Sequence, residues 1–283
     1  MERFDSLRAL NNSKFDWKIK ARVIRIWDSY NVKEDNKFKG RNLLLLDDKH
    51  CRIHAFIWPN NVQHFGDKFV EGKVYIIKNF EVKKYFEGSI RCIRNDKQIW
   101  LSRRTDVTVV NKPEKMIREN EFSFFDIGEI KGLSVKNDQY QLLDLIGEVK
   151  KLEPLDNFVN RKNKEQYSLR FELSDGSSFA KISFWDEFAV SLDAVLKKAV
   201  EKPVILIVAS GRLTEFKEEL YISNVAATRF FVNYSHHSVI QMRHRSVNKL
   251  YLVRINDFSS VLLLKIPAEV LQLFCKIGRL LDQ

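Results

Sequence analysis

From Trp17 to Val23 the chain alternates: Trp17, Ile19, Ala21 and Val23 share one parity, and Lys18, Lys20 and Arg22 the other. A period of two predicts a strand with one buried face and a row of cations on the opposite face. Beyond Val23 the phase changes, with Ile24 and Ile26 apolar around Arg25, so a bulge or sharp bend is expected there. Two further strand-like runs, Leu43–Leu46 and Arg52–Trp58, flank the polar joint Asp47-Asp48-Lys49-His50 and read as a hairpin. Trp58 precedes Pro59, which biases it to extended geometry, and Val62, Phe65 and Phe69 follow as a short helix would arrange them.

The same pattern recurs 127 residues later. Leu46-Asp47-Asp48 through Trp58 lies over Leu173-Ser174-Asp175 through Trp185 without a gap. The second joint, Ser174-Asp175-Gly176-Ser177, carries the Asp-Gly signature of a tight hairpin. Trp185 precedes Asp186, a good helix cap, and Phe188, Val190, Leu192, Val195 and Leu196 follow in a mixed helical pattern. Lys73–Ile77 matches Pro203–Ile207, and Trp100-Leu101-Ser102 matches Tyr221-Ile222-Ser223. Each copy reads as strand, strand, strand, short helix, strand, strand, the expected mostly β class being two small barrels in tandem. Residues 1–13 are assigned to an N-terminal extension, 14–110 and 138–233 to the two copies, 111–137 to a tether and 234–283 to a C-terminal extension. In that last stretch Leu250–Val253 and Val261–Leu264 suggest short buried segments. An amphipathic helix is expected from Pro267, striped by Val270, Leu271, Leu273, Phe274, Ile277, Leu280 and Leu281.

In the second copy Ile182 and Phe184 share one parity and Trp185 has the other, so Trp185 points outward if those two are core. In the first copy Phe56 sits on the Trp58 face, opposite Ala55 and Ile57. With 283 residues, 45% hydrophobic, the chain has material for two cores, and no stretch approaches the ~20 apolar residues of a membrane helix. Its three cysteines form no CxxC pair and the charged first ten residues carry no signal-peptide run, so a reducing, intracellular setting is expected. A formal net charge of +11 favours a polyanionic partner. Cations interleaved with aromatics, as in Lys78, Phe80, Lys83, Lys84, Tyr85 and Phe86, suit a groove that follows a phosphate backbone and offers rings to bases.

The run Trp17-x-Ile19-x-Ala21-Arg22-Val23, the two strand-ending tryptophans, Leu213-Thr214-Glu215-Phe216 and Tyr221–Thr228 resemble the two central OB-folds of the large subunit of replication protein A, over about residues 14–235. The likeness is to its divergent plant relatives. The resemblance implies single-stranded DNA as partner, a nuclear address, and roles in replication, repair or recombination. It puts stacking rings at Trp58, Trp185 and Phe216. The second ring of the first copy falls near Ile90, which has no π-face, so either Tyr85 or Phe86 supplies it or that copy grips with one platform. Lys84 matches a backbone-contacting lysine, Arg22 and Arg25 lie on the strand that opens the groove, and Arg212 and Lys217 flank Phe216. Full-length relatives also carry a zinc-containing third OB-fold for subunit assembly and an N-terminal recruitment domain. Neither is recognisable here, so partnership with other subunits of that complex is a weak expectation.

No cofactor, metal or catalytic group is expected. GxxxxGK[ST], GxGxxG, HExxH and GxSxG are missing from the sequence, and Asp47-Asp48 suits a turn better than a metal pair. His236-His237 with His244 lacks completing ligands. Two other readings stay open: an OB-fold adaptor whose aromatics form a protein interface, and a binder of single-stranded RNA, since stacking does not read the 2′-hydroxyl.

Overall fold

The computed structural model describes residues 3–31, 34–111, 116–159 and 163–246. The first sheet contains β1 (Lys18–Asn31), β2 (Lys37–Leu46), β3 (Arg52–Ile57), β4 (Val74–Lys78), β5 (Glu81–Lys84), β6 (Lys97–Leu101) and β7 (Asp106–Val110), with α1 (Pro59–Phe65) between β3 and β4. A short α2 (Val135–Asp138) precedes the second sheet: β8 (Leu143–Lys150), β9 (Asp156–Val159), β10 (Glu165–Ser174), β11 (Phe179–Trp185), β12 (Ile205–Phe216), β13 (Glu219–Ser223) and β14 (Arg229–Val232), with α3 (Asp186–Lys198) between β11 and β12. Residues 237–246 are helical.

Both sheets curl into OB-fold barrels by the same pairings. β1 lies antiparallel to β2 and β4, β2 to β3, and β5 to β6, while β3 and β6 run parallel. In the second copy β8 pairs with β10 and β12, β10 with β11, β12 with β13, and the parallel contact is β11 with β13. The parallel pairing joins the two arms of each barrel and leaves few open edges. β7 and β14 each add an antiparallel strand to the fourth barrel strand, and β9 extends β10; alternation along the chain does not suggest these three.

The expected bend in β1 is real: Val23 pairs with Leu45 and Arg25 with Leu44, so Ile24 is an extra residue. Before it, Ile19, Ala21 and Val23 are fully buried in the first core with Leu43, Leu45, Ile53, Ala55, Ile57 and Ile99. The second core repeats the arrangement with Leu145, Leu169, Phe171, Ile182, Phe184, Leu206 and Ile222. Asp47 holds the first hairpin as a turn residue, its Oδ1 accepting from the amides of Lys49 and Cys51 and its Oδ2 from that of Leu7. Asp175 does the same through Ser177 and Ser178, with Gly176 at φ +98. Trp58 is the N-cap of α1, extended before Pro59 as anticipated. The cap of α3 is Trp185 itself, not Asp186, which is the first helical residue.

The barrels are not joined by a free tether. Arg52 and Asp144 form an ion pair of 2.9 Å whose side chains are 7% and 4% exposed. Asp144 also accepts from the amides of Ser123 and Ser210. Arg25 donates to Ser210 Oγ and to the Ala227 carbonyl, and Leu44, Cys92, Ile93, Leu142 and Ala227 pack as one apolar cluster. The linker is a strap: Ile117 is buried with Leu46 and Val74, Phe122 and Phe124 pack with Ile146, Ile205, Ile207, Val239 and Met242, and Ile127 and Ile130 join the second core. Both barrels fall within one compact unit, Met1–Arg243. The segments expected at Leu250–Val253 and Val261–Leu264 and the helix from Pro267 lie outside the described residues.

Candidate nucleic-acid interface

On the outside of the first barrel, β3 presents Arg52, His54 and Phe56, followed by Trp58, because the intervening Ile53, Ala55 and Ile57 are core. The parallel neighbour β6 places Trp100 beside Phe56 and Gln98 beside His54. Trp58 meets Phe56 at 5.1 Å and Trp100 at 5.4 Å, both near-perpendicular, and Phe86 lies 5.6 Å from Trp100. Lys83 Nζ sits 5.7 Å from the Trp100 ring centre. Trp58 is 37% exposed and Phe86 57%, so the cluster opens to solvent. It rests on Gly40, where a Cβ would lie 2.6 Å from Phe56 Cζ and 2.5 Å from the Ile57 carbonyl oxygen. Only a residue without a side chain lets that ring settle on β2 at φ +144.

The other half of this outer face is closed. Trp27, His54 and Tyr85 form a stack, with ring centres 5.4 and 5.6 Å apart and planes within 13° and 20° of parallel. The guanidinium of Arg91 caps Tyr85 at 5.6 Å. His54 links Tyr85 Oη through Nδ1 and Asn42 Oδ1 through Nε2. Burial pushes the His54 imidazole down to about 3 and the Tyr85 phenol far above its usual range.

In the second barrel, Ser183 and Trp185 alternate with Ile182 and Phe184 and face outward. Ser183 neighbours Ser223 on β13, and β12 brings Arg212 opposite Ser223, Thr214 opposite Tyr221 and Phe216 opposite Glu219. Parity therefore carries Trp185, Tyr221, Phe216 and Arg212 onto one face. Phe216, 61% exposed, ends β12 at a two-residue turn in which Lys217 and Glu218 both have positive φ. Lys217 Nζ lies 5.4 Å from its ring centre. Trp185 meets Phe158 edge-on at 6.4 Å. Arg212 donates from Nη2 to Gln139 Oε1.

Several sequence expectations change. The hairpin pairings Glu81 with Trp100 and Lys83 with Gln98 match Arg212 with Ser223 and Thr214 with Tyr221. Tyr85, whose amide bonds the Asp96 carbonyl, therefore occupies the place of Phe216, and Ile90 does not. The positive-φ bends at Asn79 and Ser210 keep the same spacing. Likewise Gln98-Ile99-Trp100, not Trp100-Leu101-Ser102, is the counterpart of Tyr221-Ile222-Ser223, a shift of two that parallel pairing alone reveals. Tyr85 is no open platform, since both ring faces are occupied. Lys84 shares parity with buried Val82, and the cation of the ring cluster is Lys83.

Arg25 is sealed between the barrels at 2% exposure, its guanidinium pulled down to about 10 by burial. The Arg22 guanidinium is turned to the carbonyls of Ile117 and Gly72. Lys18 and Lys20 lie over Phe4 on the part of β1 paired with β4, away from β3. Sequence reasoning missed Phe56 and Trp100 as members of the open cluster, while Lys83 stood among its interleaved cations; the parity of Phe56 with Trp58 was the signal available. His236 packs against Phe122 and Phe124, and among the described residues no three His, Cys, Asp or Glu side chains are grouped to hold a metal.

A family model described as "Domain of unknown function DUF223" matches residues 8–129. The chain is 26% identical over 235 residues to a replication protein A 70 kDa DNA-binding subunit of Arabidopsis thaliana, covering 82% of this chain and 36% of that protein. It is 23% identical over 238 residues to a second 70 kDa DNA-binding subunit from the same plant, covering 82% and 38%. It thus spans little more than a third of these relatives' length. A solved replication protein A heterotrimer bound to single-stranded DNA shares the fold at a TM-score of 0.53 and 19% identity, covering 87% of this chain and 55% of that one. Over four fifths of its length, the chain is similar to plant replication protein A 70 kDa DNA-binding subunits, the proteins its own residues resemble.

Proposed function

We propose that the protein binds single-stranded DNA with little sequence preference, through base stacking and phosphate contacts on the outer faces of both barrels. The observation that carries this reading is the placing of open rings beside cations on equivalent faces: Trp58, Trp100 and Phe86 with Lys83, and Trp185 and Phe216 with Lys217. An aromatic ring supplies ~1–3 kcal/mol per stacked base whatever the base, and the lysines supply salt-sensitive attraction to phosphate. The names of the plant relatives, DNA-binding subunits of replication protein A, support the same partner. They also support a role in DNA replication and contact with other subunits of such a complex; a nuclear setting and roles in repair or recombination belong to the same proposal. The protein acts by binding, without a reaction of its own.

The test is a fluorescence anisotropy titration with oligo-dT at two ionic strengths, with oligo-rU and duplex DNA as competitors. Trp185→Ala with Phe216→Ala is expected to weaken oligo-dT binding more than tenfold while the fold is retained. Unchanged affinity in that double variant refutes the face. Binding that ignores salt would indicate an apolar protein interface, and preference for oligo-rU would make RNA the ligand.

A further inference from the structure

The outer face of β11 does not end with the rings already described. Phe179, Lys181, Ser183 and Trp185 alternate with Ala180, Ile182 and Phe184, all three buried in the core. Phe179 is 42% exposed at the far end of the strand from Trp185, about 20 Å away for six extended residues. Two ammonium groups approach its ring: Lys131 Nζ at 5.7 Å from the centre and Lys151 Nζ at 5.6 Å. Lys131 comes from the 3-10 turn Ile127–Gly132 in the strap, and Lys151 follows β8 at φ +45.

The parallel pairing of Lys181 with Tyr221 brings Phe179 abreast of Glu219, which is paired across the hairpin with Phe216. Phe179 and Phe216 therefore stand two strands apart, about 10 Å. Two carboxylates of this region are ion-paired, Glu219 with Lys181 and Glu172 with Lys151. Lys131 and Lys217 have no carboxylate partner among the described residues, so an unpaired ammonium group stands against each of the two open rings. In the first barrel the position 127 residues earlier is Arg52, bound to Asp144 beneath the second barrel. The same place is thus covered in one copy and open in the other.

We infer that Phe179, Lys131 and Lys151 form a further contact for single-stranded nucleic acid at this end of the second barrel, the ring stacking a base and the lysines holding phosphate. This rests on the proposed function and lengthens the path from Trp185 past Tyr221 and Phe216. Charge selects the occupant, since an exposed phenyl ring between ammonium groups suits a polyanion with flat bases better than an apolar partner.

The experiment measures oligo-dT 30-mer affinity across a salt series for Phe179→Ala, Phe179→Leu and Lys131→Gln with Lys151→Gln, with circular dichroism verifying the fold. Both Phe179 variants are expected to weaken binding about tenfold, the value of one stacked base. The lysine pair is expected to flatten the plot of log affinity against log salt by about 1.4, for two phosphates on a single strand. If Phe179→Ala and the lysine pair both leave affinity and slope unchanged while Trp185→Ala weakens binding, this inference is overturned and the proposed function stands. Wild-type affinity in Phe179→Leu with loss in Phe179→Ala would make the contact apolar packing and overturn stacking. Failure of the wild-type protein to bind oligo-dT at all would remove both readings.

Discussion

Arg52 and Asp144 stand 92 residues apart in the chain and 2.9 Å apart in space, each almost without solvent. Their pairing turns two barrels into one body, because Asp144 also gathers the amides of Ser123 and Ser210. A strand bound across both barrels would meet grooves already fixed in relative position, so little ordering of the protein remains for the ligand to drive.

Removing one member of this pair leaves a buried charge alone, at a cost of about 3–5 kcal/mol. Arg52→Ala is expected to lower stability by that amount in urea unfolding. Buried ion pairs can often be exchanged for apolar side chains without loss, but here Arg52→Met with Asp144→Leu still orphans two amides. The double variant is expected to remain well below wild type; full recovery would show that the amides find other acceptors.

Gly40→Ala tests the support under the ring cluster. Its new methyl would meet Phe56 and the Ile57 carbonyl at distances no packed carbon tolerates, on a backbone at φ +144. A loss of about 1–3 kcal/mol is expected, with a changed tryptophan emission as Trp58 and Trp100 shift. Unaltered emission and stability would mean that Phe56 does not lie on β2.

His54 should leave a mark on the pH dependence of folding. It is neutral in the fold, its pKa held near 3 by burial, whereas the unfolded chain takes up a proton near 6.5. Its contribution is complete above about pH 6.5 and falls as pH drops toward 3, by ~1.4 kcal/mol per pH unit. Urea midpoints from pH 7 to 4.5 should therefore slope more steeply in wild type than in His54→Gln. Parallel slopes would place His54 in contact with water.

Tyr85 and Phe86 are adjacent in the chain but belong to different halves of the face. Tyr85→Phe removes the hydroxyl on His54 Nδ1 and should cost about 1 kcal/mol of stability with affinity for oligo-dT unchanged. Phe86→Ala should do the reverse, weakening binding several-fold without moving the unfolding midpoint. Anisotropy and urea titrations on the same samples separate the two, and swapped effects would reverse the assignment.

The barrels, the bulge after Val23, both hairpins and the outward Trp185 were legible in one dimension, because alternation and turn chemistry are local properties of neighbouring residues. The strand-ending tryptophans pointed to the proposed interface for the same reason. Trp100 was read as a strand residue yet not as a partner of Trp58, since that depends on a parallel register between segments more than forty residues apart. Tyr85 and Phe216 were likewise matched only through their hairpin pairings.

Lys20, Arg22 and Arg25 look alike along β1, and period-two patterning carries no information on what covers an outer face. Patterning along the chain told inside from outside within each barrel. Packing of one barrel on the other decided which outside surfaces stay open, because burial of Arg25 and Arg52 arises from contacts with Ser210, Ala227 and Asp144, residues whose position is set by a second, separately formed core.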